Sequence, residues 1–500
     1  MSDSTPFTSL TDARHLLRRT GFGATIDAAQ KLLDDAGTRG EAADILLDFD
    51  PTKFKPGGRY IEDRHNKWVK YMIKTKRQLQ EKLVLFWHDH FATSYDKVGD
   101  VDQMSLQNRL FRQFCKGNFK SFVKAINKNP AMMEFLDTVR NHKDQPNENY
   151  PRELMEIFTL GVKNPLGDPN YDQEDIVQIA RAFSGWEYDS KGEADLDTDD
   201  HDKGDTEEGW DPPRGPKVIF KVRGGFNDPA GQSFDAGTDY AKEIDNVIDI
   251  IFQHRYGAPG SERSTVADYI AQKLITYFAH PDPSPTFVQE VVDASGFATN
   301  WELSPLLKAI FVHDDFYASA APPAAGTKKS VKWPVDYVVG TLRMLEMKLK
   351  SKYQYVDGGD GTSVLDHLTN MGQLLFSPPS VFGWDWETSW LSSSTLLARY
   401  SFARDVTGAR NGTGKTSFRA DKLLPLDELP TAGTIVDAVT ALLGVDDQIS
   451  VDERNALIAY VTDGGGGSST PVDLSDETLR NRKLNGLVAT VLQSPIYQLH

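Results

Sequence analysis

The chain has 500 residues, 39% hydrophobic and 10% aromatic, enough to bury a large core and more than one compact core usually holds. Its 55 Lys and Arg against 72 Asp and Glu leave a net charge of −17 and a pI near 5.1, which excludes a general nucleic-acid binder, because phosphate neutralisation needs a basic face. The single cysteine, Cys115, excludes an intramolecular disulfide and a cysteine-rich zinc site, and no stretch reaches the roughly 20 apolar residues that span a bilayer.

The first residues lack a basic start followed by an apolar run, so they do not read as a secretory signal, and the chain as written is expected in the cytoplasm. Asp12 is the expected cap of a first helix reaching Arg19, with Gly21 and Gly23 ending it, and helices are expected over 26–36 and 40–47. Residues 61–91 carry Trp68, Tyr71, Met72, Leu79, Leu83, Leu85 and Phe86 at helical intervals, which predicts one or two long helices delivering His88 and His90 near a C-terminal end. Further helices are predicted over 101–115, 119–127, 131–139, 151–160 and 173–183, with Pro151 suited to a first turn where its missing N–H is harmless. Residues 190–216 are rich in Asp, Glu, Gly and Pro and precede a β-like run at 217–222, a loop-rich excursion with a hairpin. Helices resume over 241–252, 264–279, 285–294, 303–312 and 335–349. A loop at 357–361, a proline-aromatic segment at 375–384, a flexible Gly464 to Ser469 stretch and a helix over 477–492 complete the chain.

The expected fold is mainly α, a large bundle-like multi-helix unit with a small β-hairpin excursion around residues 185–225. Four segments are read within one continuous unit. They are a helical region 1–186 with the His and Glu clusters, an acidic insertion 187–235, a helical region 236–410 with a Pro/Trp-rich loop, and a helical tail 411–500.

Two polar clusters interrupt the apolar runs: Trp87-His88-Asp89-His90-Phe91, and Asn147-Glu148-Asn149-Tyr150-Pro151-Arg152-Glu153-Leu154-Met155-Glu156. Charges set where a helix would bury leucine need a metal, a catalytic role or a closed ion network, because an unpaired buried charge costs several kcal/mol, of order ~3–5. On a regular helix His88 and His90 stand about 200° apart, so both face one ion only if the helix loosens there. Glu153 and Glu156, three apart, share a face, and two adjacent carboxylates raise one pKa unless a cation or an arginine neutralises them. Asp195, Asp197 and Asp199 alternate as in a calcium loop, but Asp200 replaces the needed glycine and Thr206 the closing glutamate, so a solvated acidic loop is the better reading. His201 could return over the helical site as a further ligand or general base. Trp384, Trp386 and Trp390 form either an aromatic ligand-binding wall or a stiff loop packed on the core.

Five stretches carry a resemblance: DARHLLRRTGFGAT from residue 12, EKLVLFWHDHFATS at 81–94, PNENYPRELMEIFTLGV at 146–162, IARAFSGW at 179–186 and GQLLFSPPSVFGWDWETSWLSSSTLLAR at 372–399. In order and spacing they resemble the bacterial and archaeal family called domain of unknown function 1800. The resemblance implies a mostly helical protein without an established activity. Many relatives resemble exported proteins encoded beside a protein of the alkaline phosphatase and sulfatase superfamily, which the resemblance offers as a partner by association.

Two functions follow from the residues. The first is an enzyme, hydrolase or oxidoreductase, in which His88, His90, Glu148, Glu153 and Glu156 hold a divalent metal of unknown identity while Arg152 and His201 serve catalysis. The second is a non-catalytic helical scaffold whose charged groups form a structural network and whose tryptophan loop is an interface.

Overall fold

The protein is described from a computed structural model covering residues 3–204, 215–226, 228–318, 329–347, 362–408, 418, 420–424 and 426–500. It is mainly helical, with three two-stranded antiparallel hairpins among the described residues. These pair Trp186–Tyr188 with Ala194–Leu196, Val218–Ile219 with Gln232–Ser233, and Arg255–Tyr256 with Arg263–Ser264. The first two carry the expected excursion, which extends somewhat beyond residue 225. No helix of the described residues is long and apolar enough to cross a membrane.

Helix limits follow local chemistry. The first helix, Leu10–Thr20, is capped by Ser9 rather than Asp12: the Ser9 hydroxyl accepts the Asp12 N–H at 3.2 Å, and Asp12 sits in the first turn where its charge favours the helix dipole. The 61–91 run divides into Ile61–Lys74 and Gln78–His90, the second helix remaining regular through His90. The helix expected over 131–139 is the shorter Pro130–Phe135, stopped before Asp137 takes a left-handed φ of 58°. The β-like run at 217–222 pairs only through Val218 and Ile219, because Phe220 turns the backbone to φ 54°. Helices at Val364–Asn370, Ser393–Thr407, Ala432–Leu442 and Val451–Val461 fill the C-terminal third. The loop at 357–361, residues 348–349 and Thr206 lie outside the described residues.

One apolar core links all four sequence segments, running from Phe7 and Trp87 through Ile248 and Leu274 to Val436 and Tyr497. Ion pairs are threaded through it. Glu81 and Arg112 are wholly buried, 2.6 Å apart, with the Trp68 indole N–H donating to Glu81 at 2.8 Å. Lys82 meets Asp336 at 2.8 Å, joining the Gln78–His90 helix to Pro334–Met344. These pairs fix helices at the level where His88, Asp89 and His90 leave the same element.

Candidate functional site

The end of the Gln78–His90 helix sends its polar side chains in three directions. His88 is buried, and its Nε2 accepts the Phe376 backbone N–H at 2.9 Å, so Nδ1 carries the proton. Its ring lies against Trp68, Phe376 and Trp384. Burial, and then the neighbouring His65, hold His88 far down, at about 3, so it stays neutral. Phe376 pays for this contact with a left-handed φ of 61°. His90 points elsewhere: its Nε2–H donates to the Phe158 carbonyl at 3.2 Å. The divergence expected of a regular helix therefore holds, and the two imidazoles do not face one ion.

Asp89, between them, ties down the proline-tryptophan loop. One carboxylate oxygen accepts the Trp384 N–H at 2.7 Å and the other the Trp386 indole N–H at 3.2 Å. The approach is so close that a Cβ on Gly383 would stand 2.2 Å from Asp89 Oδ1, and Gly383 adopts φ 83°, so glycine is required twice over. Burial raises the Asp89 carboxyl to about 7, against the Trp384 N–H and the Lys273 ammonium, which lower it. Trp384 and Trp390 are buried, and Trp386 packs edge-on against Trp333 and Tyr277. The three tryptophans thus face the core, while Phe382 at the loop tip is 66% exposed.

The second cluster begins with Glu148, which accepts from Arg152 at 3.0 Å and from Gln173 at 2.7 Å. Arg152 also donates to Gln173, a closed triangle at the surface. Glu153 then ends the short helix Asn149–Glu153, and Leu154–Thr159 forms a π-helix. The wider turn is held by the Thr159 hydroxyl on the Leu154 carbonyl at 2.5 Å and by the N–H groups of Leu160 and Gly161 converging on the Met155 carbonyl. Single π turns inside helices are frequent at functional sites. Gly161, at φ 77°, lets the Tyr269 ring approach to 3.0 Å of the position a Cβ would take.

Glu153 immediately precedes this turn and Glu156 lies on it. Glu156 accepts the Tyr171 hydroxyl at 3.1 Å, and the Tyr269 hydroxyl donates to the Ile157 carbonyl at 3.0 Å. Glu153 Oε2 is buried without a hydrogen-bond partner among the described residues. Burial, then the Glu156 carboxylate, raise Glu153 to about 7, opposed by Arg152. Tyr269 also forms a wall of a cleft of about 290 Å³, with Leu160, Lys163, Pro165, Tyr256 and Gln272 around it.

His201 is buried with both nitrogens engaged, Nδ1–H on the Ser184 carbonyl at 2.8 Å and Nε2 beside Glu243 at 3.1 Å, where Lys217 also binds. It serves that ion cluster rather than the Glu153 turn. Among the described residues no three His, Cys, Asp or Glu side chains stand together as a metal-holding group. The five expected ligands do not fit one ion: His88 and His90 are spent on backbone partners and Glu148 on Arg152 and Gln173, leaving only Glu153 and Glu156 side by side. Composition offered no means of finding Asp89, whose partners lie 295 and 297 residues away.

The family model described as "Protein of unknown function (DUF1800)" matches residues 15–499. No curated protein and no solved structure matches the chain.

Proposed function

We propose, for a chain that belongs to the DUF1800 family and takes no established activity from it, that the Glu153–Glu156 pair is the acid–base centre of an enzyme, with hydrolysis the reaction class it suits best. One observation carries the reading: Glu153 Oε2 is buried and unpartnered among the described residues, beside a second carboxyl on a π turn. Among the other sequence-predicted groups, His88, Glu148, Glu156 and His201 engage backbone, tyrosine or ion-pair partners, whereas His90 Nδ1 and the Trp384 and Trp390 indole N–H groups are buried without one among the described residues and, unlike Glu153, carry no charge. A glutamic acid poised at about 7 can give and take a proton at neutral pH, the condition for efficient general acid–base work. In this scheme Glu153 takes a proton from the attacking water and returns it to the leaving group. Tyr171 holds the Glu156 carboxylate in place, and the cleft beyond Tyr269 receives the substrate. The reading assigns the chemistry to protons, carried by the Glu153 carboxyl.

The test is a carbon-13 NMR titration of glutamate-labelled protein beside Glu153→Gln, followed by a panel of ester, amide, glycoside and phosphate-ester substrates. A carboxyl resonance titrating near 7 in the wild type and absent from Glu153→Gln supports the centre, and turnover lost with it identifies the substrate. A folded wild type with no carboxyl titrating above about 6 overturns it.

The scaffold reading draws on a separate observation, the exposed Phe382 at the tip of a loop anchored by Asp89 and His88. A stable complex with a protein of the alkaline phosphatase and sulfatase superfamily, the partner that the family resemblance offers, lost in Phe382→Ser while Glu153→Gln leaves it intact, would favour that alternative.

A further inference from the structure

The helix Leu10–Thr20 carries three arginines, and all are buried: Arg14 at 1%, Arg18 at 7% and Arg19 at 2% exposure. In a chain of net charge −17 their interior position needs partners. Arg14 takes Asp446 at 2.5 Å and Arg18 takes Asp447 at 3.1 Å, which pins the helix to the turn around Gly444. Among the described residues Arg19 has only neutral acceptors within hydrogen-bond reach: the Phe278 and Tyr277 carbonyls at 2.6 and 2.7 Å and the Ser330 hydroxyl.

Next to these arginines lies a cavity of about 30 Å³ whose wall includes Arg18, Phe22, Lys329, Lys332, Tyr497 and His500. Cations dominate that wall. Its carboxylate, Asp336, is already taken by Lys82, 2.8 Å from both oxygens, and by His500 Nε2 at 3.3 Å. Lys329 donates to the Gln448 amide oxygen at 2.6 Å. Lys332 donates to the Tyr497 carbonyl at 2.8 Å and lies 3.8 Å above the Tyr497 ring, with no carboxylate in ion-pair reach among the described residues. His500 Nδ1 is buried and unpartnered among those residues as well. Two features shape the wall. Gly23, at φ 114°, leaves room for Met344, whose sulfur would stand 2.9 Å from a Cβ there, and the Phe22 N–H is fixed by Gln78 at 2.9 Å.

We propose that this cavity is a binding site for a small inorganic anion, held by Arg18, Lys329 and Lys332. The space is right for such an occupant: a water needs roughly 10–15 Å³ on the same measure, so the cavity admits a chloride or one face of an oxyanion. The charge is right too, since cations crowded in a low-dielectric interior repel one another and an anion among them converts that repulsion into charge-assisted hydrogen bonds. Burial and then the Arg18 charge lower Lys332 to about 7, against the Asp336 carboxylate, which raises it. The motif Arg14 to Gly23 thereby acquires a purpose beyond forming a helix and stopping it. The site is distinct from the Glu153 turn and shares no residue with it.

The experiment uses the full chain at constant ionic strength with gluconate as the replacing salt, titrated with chloride and with inorganic phosphate by isothermal calorimetry and thermal unfolding. The wild type is expected to bind at least one of the two saturably, with a parallel rise in Tm, and Lys332→Met to bind it about tenfold more weakly or worse. Lys332→Arg, which keeps the charge, is expected to retain binding. Should Lys332→Met not fold, Lys329→Met on the same wall replaces it. Absence of saturable binding of either ion by the wild type, or equal affinity in a folded charge-removing variant, overturns the proposal.

Discussion

Asp89→Asn probes the joint between the Gln78–His90 helix and the tryptophan loop, and pH is the variable that makes it decisive. The amide keeps an oxygen for the Trp384 N–H but sets an –NH₂ against the Trp386 indole N–H, a donor facing a donor. One neutral hydrogen bond is lost and the Trp386 indole N–H is left unsatisfied, worth about 1–3 kcal/mol at low pH. The carboxyl is raised to about 7 by burial, above the ordinary 3.8 of an aspartic acid. Between those values the folded protein holds a proton that the unfolded chain has released. The contribution of Asp89 to stability is therefore complete below pH 3.8 and is lost as pH rises through 7, with a total fall of up to about 4 kcal/mol for a shift of this size. The wild type should exceed Asp89→Asn in stability at pH 4–5, and the difference should fall by about 1.4 kcal/mol per pH unit towards pH 7. Urea unfolding followed by circular dichroism at pH 4, 5, 6, 7 and 8 measures it. A difference constant across that range would mean that Asp89 is ionised in the fold, neutralised by Lys273, and the burial argument would fail.

Three further outcomes are expected. Arg112→Met leaves Glu81 buried without its cation and should cost about 3–5 kcal/mol in urea unfolding, most of it recovered in the double variant with Glu81→Leu, since an apolar pair of similar volume replaces the ion pair; a single-variant loss below about 1 kcal/mol would contradict the assignment. Gly383→Ala combines a left-handed backbone with a clash on Asp89 and should lower stability by about 2–4 kcal/mol, with a shift in tryptophan emission from the loop; unchanged stability would show that the loop is not held as described. For Glu153, raised to about 7, the same sign applies: stability falls as pH rises from 4.5 through 7, and Glu153→Gln should flatten that part of the profile. A pH–stability curve identical in the two proteins would place the Glu153 carboxyl in water.

How much of this was legible in the sequence depended on the distance over which each interaction acts. The helix Phe119–Asn127 and the helix Leu303–Val312 follow directly from apolar spacing and flanking stop residues, which are local. So does the divergence of His88 and His90, a consequence of 100° per residue that requires no knowledge of the fold. The π turn at Leu154–Thr159 was not legible, because its apolar pattern fits an ordinary helix and the wider turn is set by Thr159, Gly161 and the approach of Tyr269 from more than 100 residues away. The destinations of the polar groups were least legible of all. His88 meets Phe376 across 288 residues and Lys82 meets Asp336 across 254, and composition says only that each needs a partner.

That asymmetry explains why the sequence located a polar centre but overfilled it. Every buried imidazole or carboxylate needs a reason, and the sequence offered a common one, a shared metal or one closed ion network, for residues that turn out to have separate partners. His88 holds a strained Phe376, His90 braces the π turn through Phe158, Asp89 fastens the tryptophan loop, and Glu148 closes on Arg152. Once each is matched to its partner, the Glu153 carboxyl stands apart, because burial and Glu156 both push it towards neutrality while Oε2 has no described donor. A fold that leaves a carboxyl poised in this way gives up stability there, which is the usual mark of a position retained for chemistry rather than for packing.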